Sequence, residues 1–168
     1  ALITPFSDGR IDEAAFRKLV DFQIENGTHG LVPVGTTGES PTLSHEEHDK
    51  VVAICIEQAA GRVPVIAGAG SNSTNEAVRL AKHGAAAGAD GVLIVSPYYN
   101  KPTQEGLFQH FSAVADAVDV PVIVYDIPGR SIVRVADETL VRLNAAHAHI
   151  CGIKDATSEV GRPPRIRN

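Results

Sequence analysis

The chain has 168 residues, enough for one domain with a true hydrophobic core. Hydrophobic residues make up 43% and charged residues 21%, the proportions of an ordinary globular protein. A net charge of -5 with a pI near 5.8 argues against nucleic acid as a partner, and no run of 18 apolar residues offers a membrane span.

Short apolar, β-branched runs lie at 1–4, 30–34, 63–67, 91–95, 121–125 and 149–154. Their starts recur every ~30 residues, the length of a strand plus a crossover helix. The first run begins at Ala1-Leu2-Ile3 without Met, so the start is expected to be trimmed. No basic segment followed by an apolar run precedes it, so no signal peptide and a cytoplasmic location are expected.

Between the first two runs, Phe16, Leu19, Val20 and Ile24 fall on one helical face. After the second run, Val51, Val52, Cys55, Ile56 and Ala59 do the same, and Ser44-His45-Glu46-Glu47 reads as the capping box that opens this helix. Ser73-Thr74-Asn75-Glu76 reads as a second capping box, for the third helix. Thr103 after Pro102 is the expected cap of the fourth, 135–143 is a short fifth, and 158–168 reads as the start of another. Cys55 and Cys151 stand in no metal-type spacing and are expected to be buried free thiols in a reducing compartment.

Runs that are apolar on both faces, each followed by a helix, imply a parallel sheet covered by helices. Two architectures fit: a doubly wound open sheet or a closed (β/α)8 barrel. No G-x-G-x-x-G follows the first strand, which weighs against dinucleotide binding. The spacing predicts one incomplete barrel domain over 1–168, holding about the first six βα units.

Unusual residues gather after the C-terminal ends of these runs, the face on which such barrels carry their sites. They are Gly35-Thr36-Thr37-Gly38-Glu39, Gly68-Ala69-Gly70-Ser71-Asn72, Pro97-Tyr98-Tyr99-Asn100, Asp126-Ile127-Pro128-Gly129-Arg130 and Lys154 itself. Strand alternation puts Ile150, Gly152 and Lys154 on one side, with Cys151 and Ile153 on the other. An inward Lys154 would be desolvated and nucleophilic, whereas an outward one would simply reach water. Tyr125, one strand away, either moves protons or anchors a turn. Thr36 and Thr37 form either a carboxylate-binding turn or a plain one. Arg130 is either a ligand for an anion or a surface arginine.

Taken together, Gly30 to Glu39 (GLVPVGTTGE), Tyr98-Tyr99, Tyr125 before Ile-Pro-Gly-Arg, and Gly152-Ile153-Lys154-Asp155-Ala156-Thr157 resemble the dihydrodipicolinate synthase and N-acetylneuraminate lyase family. The resemblance runs the length of the chain in the family's order and spacing. It implies a (β/α)8 TIM barrel whose last two units and C-terminal helical extension lie outside this chain.

The resemblance also implies roles. Lys154 matches the lysine that forms a Schiff base with pyruvate, and Tyr125 the proton-transferring tyrosine. Thr36 and Tyr99 match its relay partners, with Tyr99 expected to reach a neighbouring subunit's site. Thr37 and Gly38 match the pyruvate-carboxylate site, and Arg130 the arginine that binds the second substrate's carboxylate. Pyruvate and L-aspartate 4-semialdehyde are the implied substrates, with no cofactor and no metal, in a homotetramer built as a dimer of dimers. Ser40, His45, His48, Asn72, Glu76 and Tyr98 match an effector pocket that takes L-lysine in sensitive members. The family's sugar-acid aldolases share the Lys and Tyr, but Thr36-Thr37 and Arg130 favour the synthase branch. His45 and His48 at i, i+3 raise a metal-dependent aldolase, without a third ligand in pattern. A non-catalytic barrel fragment is the remaining reading. Two departures stand out: Asp126, where Asn is usual and an orientation away from Tyr125 is expected, and Ser158, where Gly is common.

Overall fold

The computed structural model describes residues 1–167. A two-residue hairpin comes first, β1 (Phe6–Ser7) pairing antiparallel with β2 (Arg10–Ile11) around Asp8-Gly9, both at positive φ. Then follow α1 (Glu13–Glu25), α2 (His45–Ala59), β3 (Ile66–Gly68), α3 (Thr74–Ala87), β4 (Gly91–Val95), α4 (Gln104–Ala115), β5 (Val122–Asp126), α5 (Pro128–Ser131), α6 (Asp137–Ala146), β6 (Ile150–Asp155) and α7 (Arg162–Ile166). Two single 3-10 turns, Thr36–Gly38 and Ser40–Thr42, precede α2.

The main sheet is parallel in the order β3-β4-β5-β6. It continues past β3 through a single parallel bridge, Leu31 to Val65, and beyond that through the Leu2 N–H donating to the Val32 carbonyl at 2.9 Å. The architecture is therefore part of a (β/α)8 barrel, with six strand-like passes in sequence order. The runs at 1–4 and 30–34 are laid in place as expected but form no full ladder. Proline is the reason for the second: Pro33 has no N–H to donate. The hairpin at 6–11 was not foreseen, because its strands are too short to carry a period.

Parity along the strands divides the molecule. Val92, Ile94, Val122 and Val124 are buried against the helices, packing with Ala77 and Ala81 of α3, Leu107 and Phe111 of α4, and Leu143 of α6. A second cluster joins Phe16 and Val20 of α1 to Val51, Val52 and Cys55 of α2 over Leu31, Val65 and Ala67. Each such fully buried aliphatic side chain contributes roughly 1.5–3 kcal/mol of transfer free energy. The alternate residues Leu93, Val95 and Tyr125 face the barrel interior.

On β6 the expected alternation fails at one point. Val122 pairs with Ile150 and Ile123 with Gly152, so Cys151 is an extra residue in the register. This bulge sends Ile150 to the helix side with Val122, while Gly152 and Lys154 stay inward opposite Ile123 and Tyr125. It also leaves Cys151 exposed, which corrects the expectation of two buried thiols; Cys55 is buried and its thiol is pushed up to about 12.

The caps expected for α2 and α4 form. Ser44 and Glu47 form the reciprocal capping box of α2, and the Thr103 hydroxyl accepts from the Gly106 N–H at the start of α4. The second box, at 73–76, does not form: Ser73 makes no cap bond, and Glu76 turns instead to Ser71 and His45. Helix α6 starts two residues later than the pattern predicts, because Val135 and Ala136 are held in the loop that precedes it.

Candidate active site

The C-terminal ends of the strands open on a cavity of about 250 Å³. Thr36, Thr37, Tyr98, Tyr125, Arg130 and Lys154 line it. They come from the ends of three strands, β4, β5 and β6, and from the turn after the 30–34 run, so only the barrel's curvature brings them together. Gly68 forms part of the floor, and a Cβ there would stand 2.5 Å from the Val34 carbonyl oxygen. Glycine at that position lets neighbouring strands approach closely enough to shape the cavity. Val34 itself has φ 47°, a left-handed conformation that is strained for a β-branched residue. That turn aims Gly35-Thr36-Thr37 across the mouth of the cavity.

Lys154 pairs in register with Tyr125, and its Nζ stands 4.2 Å from the centroid of the Tyr125 ring. An ammonium over a tyrosine face gains ~1 kcal/mol of cation–π attraction at a wet site. Tyr125 is 9% exposed, whereas Lys154 is exposed in this chain, so the lysine is not desolvated here as its inward direction suggested. The reason is visible in the fold: β6 is the last strand of the sheet, and its far edge has no neighbour among the described residues. Arg130, in the α5 turn, extends from the exposed rim.

Gly38 is buried beneath the turn, where its carbonyl accepts the Thr4 hydroxyl at 2.7 Å. Tyr99 lies outside the cavity, 84% exposed and at φ 73°.

A smaller cavity of about 140 Å³ lies beside the first and shares Ser40, Pro41, Gly70 and Tyr98 with it. Ser40, His45, His48, Glu76 and Tyr98 line it, but Asn72 does not. The Asn72 backbone carbonyl instead accepts from the Asn100 side chain at 2.9 Å. His45 Nε2 donates to Glu76 Oε1 at 2.7 Å, and the Ser71 hydroxyl donates to Glu76 Oε2. These hydrogen bonds hold the Glu76 carboxyl below its ordinary value. His48 is buried, not a surface residue; its Nε2 donates to the Gly68 carbonyl at 3.0 Å, and burial pushes its pKa down. Among the described residues no group of three or more His, Cys, Asp or Glu side chains gathers as a metal site.

Sequence reasoning missed Ser71, whose hydroxyl orders Glu76, and Arg162, whose side chain is fully buried behind the two strands that carry Tyr125 and Lys154. Asp126 does avoid the cavity, but it is the buried partner of that arginine at 2.7 Å. A clue was present: a carboxylate in place of the usual Asn, at the end of a central strand, requires a cation nearby.

The whole of residues 1–168 matches the model of the dihydrodipicolinate synthetase family. A 4-hydroxy-tetrahydrodipicolinate synthase from Rhodopseudomonas palustris is 62% identical over 168 residues, which are 100% of this chain and 56% of that protein. The chain thus spans little more than half the length of such relatives. Among solved structures, the chloride-inhibited dihydrodipicolinate synthase of Acinetobacter baumannii in complex with pyruvate is 51% identical, with a TM-score of 0.94 over 99% of this chain and 57% of its own. The DHDPS of Cyanidioschyzon merolae with lysine bound is 41% identical, with a TM-score of 0.96 over 99% of this chain and 57% of its own. On the full-length match and these identities, the chain belongs to the dihydrodipicolinate synthetase family.

Proposed function

We propose that this chain carries the pyruvate site of a 4-hydroxy-tetrahydrodipicolinate synthase, which condenses pyruvate with L-aspartate 4-semialdehyde. The observation that carries the reading is the Lys154–Tyr125 pair, in register at 4.2 Å and opening on one cavity with Thr36, Thr37 and Arg130. The family relatives bearing that synthase name support it, as does the relative solved with pyruvate.

In this reading the neutral Lys154 amine adds to the carbonyl carbon of pyruvate, and loss of water leaves an imine. Deprotonation of the methyl group, with Tyr125 relaying the proton through Thr36 and a neighbouring subunit's Tyr99, gives an enamine. The enamine carbon adds to the aldehyde of the second substrate. Attack by that substrate's amine on the imine carbon then closes the ring and releases Lys154. The protonated imine is the electron sink, so each step balances without a metal or organic cofactor. Thr37 and Gly38 hold the pyruvate carboxylate, and Arg130 takes the carboxylate of aspartate semialdehyde through its planar pair of N–H donors.

The same reading makes 1–168 one incomplete barrel domain of a cytoplasmic homotetramer, a dimer of dimers. The smaller cavity around Ser40, His45, His48, Glu76 and Tyr98 is its L-lysine site, with Asn72 at the margin. An ionised Glu76 suits an ammonium, and Tyr98 touches both cavities, which supplies the link that inhibition requires. The relative solved with lysine bound supports this assignment.

The test uses the chain completed at its C-terminal end with the remaining residues of the Rhodopseudomonas palustris relative, hereafter the completed chain. Supplied with pyruvate and aspartate semialdehyde, it should release the cyclic product. Cleavage of N-acetylneuraminate, with no condensation, would assign the chain to the aldolase branch.

A further inference from the structure

Two carboxylates sit side by side directly behind the Lys154–Tyr125 pair. Asp126 follows Tyr125 and Asp155 follows Lys154, and the two are register partners just as Tyr125 and Lys154 are. Unneutralised, they would repel each other at the ends of β5 and β6. The Arg162 guanidinium, 0% exposed, lies against both: Nη1 is 2.7 Å from Asp126 Oδ2 and 3.5 Å from Asp155 Oδ2. Its Nε donates to Asp137 Oδ1 at the start of α6 at 2.8 Å, and its Nη2 donates to the Val135 carbonyl. Asp126 Oδ2 also accepts the Val135 N–H at 3.2 Å. Burial pushes the Asp126 carboxyl up, against the pull of Arg162. Around this core, Arg165 pairs with Asp137 at 3.1 Å and with Glu159 at 2.6 Å, and Arg134 with Glu159 at 2.8 Å.

We propose that Arg162 is a positioning residue for the lysine–tyrosine pair: by binding the carboxylates that directly follow Tyr125 and Lys154, it fixes the ends of β5 and β6 relative to each other. The inference rests on the Schiff-base reading above. Among the described residues no other cation forms an ion pair with Asp126 or Asp155; Arg134 and Arg165 pair with Asp137 and Glu159 instead. A lysine could not replace Arg162, since three partners and a carbonyl engage the planar fork from different directions.

The experiment compares Arg162→Lys with its parent in the completed chain, each shown to be folded by circular dichroism. It reads kcat, KM for pyruvate, and the rate at which borohydride traps the pyruvate imine on Lys154. A misplaced reacting group costs up to about 100-fold, so we expect kcat and the trapping rate each to fall about tenfold or more, with KM for pyruvate changed less than about threefold. A loss of less than about threefold in both rates, or a rise in KM with the trapping rate kept, overturns the proposal. If Arg162→Lys does not fold, Asp155→Asn, which keeps the side chain's shape and removes the charge that ties Arg162 to the end of β6, is read against the same threefold line. A parent that forms no imine on Lys154 overturns the Schiff-base reading itself. A labelled parent whose variants keep its rate overturns the positioning role alone.

Discussion

His110 should give the protein a steep acid limb of stability. It lies on α4, 3% exposed, with its ring edge-on to Phe111 and its Nδ1 sharing a 2.9 Å hydrogen bond with the Thr74 hydroxyl. Burial drives its pKa from the ordinary 6.5 down to about 4. For a base whose folded pKa lies below its unfolded one, the unfolded chain binds the proton first as pH falls. The stabilisation is therefore fully present above pH ~6.5 and is lost on the way down to pH ~4. A gap of about 2.5 units at 1.36 kcal/mol each gives about 3 kcal/mol across that window. The perturbation is His110→Leu, which removes the titration, keeps an apolar side chain in the site and costs ~1 kcal/mol at pH 7 for the lost hydrogen bond. Urea unfolding of the completed chain, followed by far-UV circular dichroism at pH 7, 6, 5 and 4, measures the effect. The wild type should lose about 3 kcal/mol more than His110→Leu between pH 7 and 4. Parallel curves for the two would refute the reasoning, because Glu76, His48 and the other titrating groups are common to both.

Arg130→Ala should impair use of aspartate semialdehyde by about 100-fold in kcat/KM, the ~3 kcal/mol of a charged hydrogen-bonded contact, while imine formation with pyruvate stays within about threefold; equal damage to both steps would make Arg130 structural. The 168-residue chain alone should associate or melt broadly, since the groove lined by Leu140, Val141, Ile150, Cys151 and Ile153 lies open beside the unpaired edge of β6. A monomer with a sharp transition in analytical ultracentrifugation and thermal melting would contradict that. Millimolar L-lysine should inhibit the completed chain, and Glu76→Ala should weaken that inhibition at least about tenfold by removing the carboxylate that receives the ammonium; unchanged inhibition in the variant would place the effector elsewhere.

The fold class was readable because parallel strands buried on both faces leave a period of their own, an apolar run every ~30 residues, and because glycine-rich turns mark one end of each. The run at 91–95 became β4 with both boundaries intact, and Thr103 capped α4, since both depend on neighbours in sequence. The bulge at Cys151 was not readable. Alternation predicts which way each residue of a strand points only while the register is unbroken, and the extra residue is fixed by pairing with β5. Glu76 misled for a related reason. A local rule assigns it to its own helix cap, but Ser71 and His45 offer it two charge-strengthened hydrogen bonds from outside the helix. Thr36, Thr37, Tyr125, Arg130 and Lys154 were picked out one strand end at a time, yet their convergence on one cavity is a property of the barrel's curvature. Arg162 lay beyond the reach of local pattern altogether, because its three carboxylates come from positions 126, 137 and 155.

The central claim is that Lys154 is the nucleophile toward pyruvate. The most direct measurement is to incubate the completed chain with pyruvate and sodium borohydride, digest it, and locate the reduced pyruvyl adduct by mass spectrometry. The account predicts one adduct per chain, on Lys154, and none when that residue is replaced by arginine. An adduct on Lys18, Lys50, Lys82 or Lys101, or no adduct in a folded chain that still turns over, would contradict it.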